Sequence, residues 1–222
     1  MDSIAESDLD ALVANQVPES TTLEYKVQLP DNRSEADKAE FLKDVTALAN
    51  RDGGVILYGV ATKQDGSGDT GIPETIKGVE LSNEDALYRE WEQRLGSSVS
   101  PPLRSEVLIR ATRLSNGKAV VAVGVSRGFG GPHRVETQKL KRFYRRGGTT
   151  IYEPSVQELR QMFLATAAWR SDAETFRERR IARHLQPAIS SGYVMVRMSG
   201  PPRAQNTSLS NAAPSLVIQT DC

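Results

Sequence analysis

An alternating segment at residues 21–29 has the pattern of a half-buried β-strand. Apolar residues alternate there with polar ones, among them Glu24 and Lys26. Successive side chains of a strand point to opposite faces, so this period of two predicts one apolar face and one polar face. Glu24 and Lys26 are therefore expected side by side on the polar face, where an acid and a base can act on one ligand.

A helix and a buried strand are predicted next, joined by a turn. Apolar residues between Ser34 and Asn50 recur at helical spacing, and Ser34 with Asp37 resembles a capping box. Asn50 and the glycines that follow it end this helix. Residues 55–61 are short, almost continuously apolar and rich in strand-forming residues, which predicts a central strand.

The rest of the chain alternates between strand and helix signals. An Asn-Gly pair at 116–117 is typical of a tight hairpin, and Ser155 with Glu158 forms a capping box. Together with a short helix near the N-terminus, these signals predict an α/β (α+β) fold, with a single mixed β-sheet flanked by about four helices. The later predicted elements are a polar turn over 63–71, a helix over 83–95, strands over 104–114 and 118–125, an edge strand over 139–146 and a last helix from Ser155.

The composition changes along the chain in a way that predicts four parts. These are an N-terminal helix (1–14), the main domain (15–165), a C-terminal helical extension with a short strand (166–198) and a disordered tail (199–222). The tail consists largely of Pro, Ser, Asn and Ala with two charges. Such a composition buries too little apolar area to offset the conformational entropy of the chain.

Overall composition bounds the class of protein. Of the 222 residues, 38% are hydrophobic and 25% charged, which excludes disorder of the whole chain. The longest apolar runs are far shorter than the roughly 20 residues that span a bilayer. The acidic N-terminus lacks the basic and then apolar pattern of a secretory signal, and the one cysteine, Cys222, has no internal partner. We therefore expect a cytoplasmic protein with no membrane partner.

Charge is segregated along the chain although it balances overall, with 28 acids and 28 bases. Residues 1–98 carry 20 acids and 9 bases, whereas residues 99–150 carry 11 bases and 2 acids. Segregation of this kind indicates a local polyanion-binding surface on an acidic body. The alternative is two oppositely charged faces that only keep the protein in solution.

The basic segment, residues 127–146, holds the candidate nucleic-acid-binding residues. Its bases can contact phosphates, and Phe143 and Tyr144 can offer stacking surfaces, the two ingredients of single-strand binding. Alternatively, the aromatic rings pack in the core and the bases protect an edge strand from aggregation. The candidates are Arg127, Arg134, Lys139, Lys141, Arg142, Tyr144, Arg145 and Arg146.

Glu19, Glu24 and Lys26 form a candidate catalytic set. Mg²⁺ and Mn²⁺ prefer oxygen ligands, and such an ion can polarise a phosphodiester while a lysine steadies the developing charge. Glu19 precedes the predicted strand and would have to fold back toward Glu24. On spacing alone, an ion pair on a solvated face, worth about 1 kcal/mol or less, explains the same residues.

Three stretches together resemble the Schlafen-type AlbA-like domain family. They are Glu19–Lys26 (ESTTLEYK), residues 41–60 (FLKDVTALANRDGGVILYGV) and Phe143–Gly147 (FYRRG) followed by Thr149 or Thr150. The most specific part is the asparagine-to-glycine junction that runs into an apolar strand ending in Gly-Val. The resemblance covers roughly residues 15–165 and implies an α/β fold that binds nucleic acid.

Some vertebrate Schlafens are metal-dependent endoribonucleases that use three acidic residues, and the resemblance implies the same activity as a possibility for this chain. Glu19 and Glu24 match two of these, and the third is expected directly after Gly59-Val60. This chain has Ala61-Thr62 there, and Asp65 is the nearest acid, so the implied metal set for Mg²⁺ or Mn²⁺ is Glu19, Glu24 and Asp65. Full Schlafens also pair two such lobes and carry a zinc site, so the single lobe of this chain would need a homodimer.

Three functions remain open on the sequence. The first prediction is a DNA- or RNA-binding protein, a bacterial regulator or defence component that contacts phosphates through the basic segment. The second is a Mg²⁺- or Mn²⁺-dependent endonuclease that uses Glu19, Glu24 and Lys26, and the missing third acid counts against it. The third is a protein-interaction or nucleotide-sensing module whose basic strand docks on an acidic partner.

Overall fold

A computed structural model of the chain describes residues 4–31, 33–66, 68–128 and 130–190. Four helices lie in this part of the chain: α1 (Glu6–Ala14), α2 (Glu35–Ala49), α3 (Glu84–Ser97) and α4 (Val156–Ser190). The strands are β1 (Leu23–Lys26), β2 (Gly54–Tyr58), β3 (Val60–Asp65), β4 (Gly68–Ile76), β5 (Val99–Ser100), β6 (Val107–Arg113), β7 (Ala119–Val125), β8 (Arg134–Glu136), β9 (Lys141–Phe143), β10 (Arg145–Gly147) and β11 (Thr150–Tyr152). The mixed α and β architecture and the four helices confirm the predicted fold class.

The main sheet has the strand order β1-β2-β7-β6, with β1 parallel to β2 and the other pairs antiparallel. Alternate residues of its central strands serve two cores. Ile56 and Tyr58 face α2 and α3, where Trp91 and Phe41 are buried, and Leu57 faces the other side, where Leu9 of α1 is buried. Because both faces are covered by helices, β2 and β7 are almost continuously apolar.

The prediction of one sheet is wrong, because in the described part of the chain the strands outside the main sheet form three smaller sheets. Gly59 has a φ of +103°, and a Cβ there would lie 3.0 Å from the Gly78 Cα, so only glycine allows this turn out of β2. The predicted strand over 55–61 therefore ends at Tyr58. The chain continues into a hairpin of β3 and β4, in place of the predicted polar turn over 63–71.

The basic edge strand predicted over 139–146 is divided between two of the smaller sheets. Residues 141–143 form β9, which pairs with β8 in the order β5-β8-β9, and residues 145–147 form β10, which pairs with β11. Tyr144 lies between the two strands and packs against the main core. This division decides which of the basic side chains reach the surface.

Two compact units divide the chain, residues 1–167 and residues 168–222. In the second unit the described residues, 168–190, all belong to α4, which passes without a break through the boundary predicted at residue 165. The predicted short strand before residue 198 and the predicted tail over 199–222 lie outside the described residues. None of the described helices combines the length and the hydropathy needed to cross a bilayer.

Candidate nucleic-acid interface

Asn50, the residue that ends α2, holds the basic segment in place. Its side-chain amide donates hydrogen bonds to the carbonyl oxygens of His133 (2.8 Å) and Tyr144 (2.9 Å). The side-chain Oδ1 of Asn50 accepts a hydrogen bond from the His133 backbone N–H at 2.7 Å. The Gly128 N–H donates to the Ala49 carbonyl at 2.9 Å. The loop that begins at Gly128, here called the glycine-rich loop, and Tyr144 between β9 and β10 therefore both meet the C-terminal end of α2.

His133 anchors that loop from inside the protein. The ring is 1% exposed, and its Nδ1 lies 2.8 Å from the carbonyl oxygen of Pro101. A carbonyl only accepts, so the His133 Nδ1 carries a hydrogen and donates it to Pro101. A Cβ on Gly128 would overlap this Nε2 atom. Glycine at position 128 is thus required by the packing of His133.

Three bases of the basic segment are exposed and form no salt bridge within the described residues: Arg127, Lys139 and Lys141. Arg127 adjoins the loop at the C-terminal end of α2, whereas Lys139 lines a cleft of about 600 Å³ together with Glu35 at the N-terminal end. A 15-residue helix is about 22 Å long. Bases of the basic segment that lie outside the salt bridges of the described residues therefore occur at both ends of α2.

Three further arginines of the basic segment pair with surface carboxylates. Exposed pairs of this kind contribute about 0–1 kcal/mol, so a phosphate can compete with the carboxylate for each guanidinium. The pairs are Arg134 with Glu136 (3.0 Å), Arg142 with Glu153, and Arg145 with Glu158 (3.5 Å). Tyr144 is half-buried, and its burial raises the pKa of its hydroxyl. Its ring belongs to the protein core rather than to an open stacking surface.

Arg146 differs from the other bases because it is completely buried. Its guanidinium forms an ion pair with Glu24 and donates to the carbonyl oxygens of Ser20 (3.1 Å) and Leu23 (3.4 Å). These contacts tie β10 to β1 and leave the guanidinium no exposure to solvent. The predicted role of Arg146 as a phosphate contact is therefore replaced by a structural one.

Lys26 lies at the centre of a cluster of carboxylates between β1 and α2. Its Nζ contacts Glu24 at 3.1 Å, Glu40 at 3.0 Å and Asp44 at 3.2 Å. Burial alone would lower the pKa of Lys26, but the charges of Asp44 and Glu24 raise it above its usual value. Burial raises the pKa of Asp44 to about 7, and the charge of Glu24 acts in the same direction. Lys26 therefore neutralises an acidic cluster that is largely internal.

Glu19 does fold back toward β1, where it accepts a hydrogen bond from the Tyr25 N–H at 2.8 Å. Burial raises the pKa of Glu19, the Tyr25 hydrogen bond opposes this, and the charges of Glu24 and Asp69 add to the increase. Of Asp65 and Asp69, Asp69 is thus the one whose charge acts on Glu19, whereas Asp65 lies exposed at the end of β3. A polar turn over 63–71, as the sequence predicts, gives Asp69 no place beside Glu19, whereas the observed β3–β4 hairpin does. The pairing of β3 with β4, in which Asp69 lies opposite Gln64, places this residue near Glu19, and no local sequence signal marks it.

The predicted metal set was Glu19, Glu24 and Asp65. Within the described ranges, no three acidic, histidine or cysteine side chains come together in a group that could hold a metal ion. One carboxylate oxygen of Glu24 faces Lys26 and the other faces Arg146. This arrangement does not fit Mg²⁺ or Mn²⁺, because Lys26 and Arg146 would both have to release Glu24 before its carboxylate could coordinate a metal ion.

Comparison with known proteins places these residues in a family context. The family model described as Schlafen, AlbA_2 matches residues 19–153, a range that includes every predicted site residue. No protein with curated annotation matches the chain.

Two solved structures are similar to it. The crystal structure of the DIP2311 protein from Corynebacterium diphtheriae shares 17% identity over 67% of this chain and 29% of that chain, with a TM-score of 0.42. The NMR structure of the N-terminal domain of a protein related to the ATP-dependent DNA helicase RecG, from Nitrosomonas europaea, shares 24% identity. That similarity covers 69% of this chain and 95% of that domain, with a TM-score of 0.46. The matched part of this chain thus spans less than a third of the length of the Corynebacterium protein.

Proposed function

The chain belongs to the Schlafen AlbA_2 family, as its motifs predicted, and we propose that it binds DNA or RNA through the surface cations of the basic segment. The observation that carries the proposal is the set of exposed bases that form no salt bridge with a carboxylate in the described part of the chain, Arg127, Lys139 and Lys141. Binding of such side chains to phosphates releases condensed counterions, which favours association. The family resemblance implies the same class of ligand.

The exposed ion pairs extend this surface. Arg134, Arg142 and Arg145 each remain partly exposed beside their carboxylates. Because an exposed pair is weak, a polyanion can take over these guanidinium groups at small cost. Arg146 is not part of the proposed surface, since its guanidinium has no exposed atom to offer.

The proposal is binding rather than cleavage. Cleavage by the predicted catalytic set would need Glu19, Glu24 and Lys26 to face a metal ion and a phosphodiester. Lys26 is instead surrounded by three carboxylates, and Glu24 is shared between Lys26 and Arg146. Both residues are therefore already occupied by structural ion pairs.

Binding should be strongly salt-dependent, and this dependence tests the proposal. Fluorescence anisotropy with labelled 20-nucleotide DNA and RNA at 50 to 200 mM salt gives the slope of log K against log salt. Each lost phosphate contact should reduce the magnitude of this slope by about 0.7–0.9. We expect that reduction for Lys141→Gln, and the same probes incubated with Mn²⁺ or with a chelator should remain intact.

Lys77→Gln is the matched control, because Lys77 is an exposed lysine outside the basic segment. It should leave the slope unchanged. Undetectable binding, or binding that does not depend on salt, would refute the proposal. Cleavage that requires Mn²⁺ and disappears in Glu24→Ala would instead support the endonuclease hypothesis.

A further inference from the structure

Two phenylalanine rings form an exposed pair beside the basic segment. Phe143 of β9 and Phe163 of α4 have ring centroids 6.0 Å apart and planes at 81°, an edge-to-face contact. Phe163 is 52% exposed and Phe143 is half-buried. We call this pair the aromatic platform. Exposed aromatic rings held in a fixed orientation offer a stacking surface at little cost in conformational entropy.

The strand register places this platform on the outer face of the β5-β8-β9 sheet. Arg134 is directly opposite Phe143, and Glu136 is directly opposite Lys141, so these four side chains share a face. Val135 points the other way and is completely buried. The Arg134 guanidinium carbon lies 6.0 Å from the centroid of the Phe143 ring. The face that carries the platform is therefore turned away from the core.

Positive charge surrounds the platform. Arg134 and Lys141 lie on the sheet, and Arg160 is exposed three residues before Phe163, which puts it on the same side of α4. Glu136 also lies on this face of the sheet, where it pairs with Arg134 at 3.0 Å and faces Lys141. Three basic side chains beside two aromatic rings are suited to a polyanion that also carries flat aromatic groups free to stack.

We propose that the aromatic platform stacks the bases of single-stranded DNA or RNA, while Arg134, Lys141 and Arg160 contact the adjoining phosphates. This inference rests on the proposed function and specifies its substrate class. In a duplex the bases are already stacked on one another, so a protruding ring gains little from them, whereas an unpaired base can lie on the ring. The matched family range ends at residue 153, so Phe163 is a contribution of α4 outside it.

Phe163→Ala tests the proposal on the full chain. The probes are a labelled 12-nucleotide oligo(dT), the matching oligo(U) and a 12-base-pair DNA duplex, and anisotropy gives each Kd. Loss of one stacked base corresponds to roughly a tenfold weaker Kd for the single strands. The Kd for the duplex should not change. The salt slope should not change either, because the lost side chain carries no charge.

Two further variants separate stacking from a general effect of changing the helix. Phe163→Trp keeps a larger stacking ring and should retain the wild-type affinity. Phe176→Ala removes a ring that is 61% exposed on α4 in the second unit, and it should bind all probes as the wild type does.

The outcomes distinguish this inference from the proposed function. Salt-dependent binding with equal affinity for duplex and single strand refutes the platform and leaves the proposed function standing. So does a loss in Phe163→Ala that Phe176→Ala reproduces. If the wild type binds none of the probes, both proposals are refuted, and a protein partner is then the occupant that the exposed rings favour.

Discussion

Replacement of Arg146 by alanine should destabilise the fold strongly, whereas replacement of its neighbour Arg145 should have a small effect. Arg146 is completely buried and holds the Glu24 carboxylate and two backbone carbonyls. Arg145 keeps a third of its side chain exposed and pairs with Glu158 at 3.5 Å. The two adjacent arginines therefore form a matched pair that differs in burial.

The expected magnitude follows from what Arg146→Ala leaves behind. Removing one partner of a buried ion pair costs about 3–5 kcal/mol, because the other charge stays buried. Glu24 would keep Lys26 at 3.1 Å, so we expect about 3 kcal/mol, at the lower end of this range. For Arg145→Ala we expect about 1 kcal/mol or less, as for other exposed pairs.

Equilibrium unfolding in urea, followed by circular dichroism, measures both effects. With a slope of about 2 kcal/mol per molar urea, Arg146→Ala should lower the midpoint by about 1.5 M and Arg145→Ala by at most about 0.5 M. Combining Arg146→Ala with Glu24→Gln should cost less than the sum of the two single substitutions, since the residues interact directly.

Equal midpoints for the two alanine variants would refute the structural role of Arg146. A variant Arg146→Ala that folds as stably as the wild type and loses nucleic-acid affinity would show that the guanidinium reaches phosphate, as the sequence first indicated. The unfolding midpoint and the nucleic-acid affinity thus distinguish a buried structural contact of Arg146 from a contact with phosphate.

Two other predictions concern Asp44 and the glycine-rich loop. Because burial raises the pKa of Asp44 to about 7, the folded state holds an additional proton between about pH 4 and 7 and loses stability as the pH rises through that window. The side chain of Asp44→Asn does not titrate. The unfolding free energy of this variant, relative to that of the wild type, should therefore rise by about 2 kcal/mol as the pH is raised from 5 to 8, as measured by urea unfolding. A difference that stays constant with pH would contradict this. Gly128→Ala should lower Tm by about 5 °C, since its Cβ would overlap His133 Nε2. Among the described residues beyond its chain neighbours, a Cβ on Gly130 meets no atom within 4 Å, so Gly130→Ala should change Tm by about 1 °C or less in the same calorimetric scan. Equal shifts for the two variants would count against the overlap.

Local sequence signals predicted α2, β2 and the hairpin of β6 and β7 close to their observed bounds. Each has its own signal: Ser34 accepts the Asp37 N–H as a helix cap, the apolar run forms the central strand, and Gly117 turns with a φ of +83°. These signals act over a few residues, so a single sequence contains them. The same holds for the family motifs, which identified the correct family.

The contacts that decide the site act over much longer separations. Arg146 meets Glu24 across 122 residues, and Asn50 meets His133 across 83 and Tyr144 across 94. No local period shows which arginine of a basic strand turns inward or which acid a hairpin brings beside Glu19. The sequence therefore predicted the charge of the segment correctly but not the division of its side chains between interior and surface.

The hydrogen bonds of Asn50 to His133 and Tyr144 have a consequence for any attempt to reduce the protein to its basic segment. A synthetic peptide with residues 127–146 would keep every guanidinium and ammonium group, yet nothing would hold its loop and strand at the end of a helix. Such a peptide would attract any polyanion without discrimination. Selectivity, where the protein has it, comes from the scaffold that fixes the spacing of those groups.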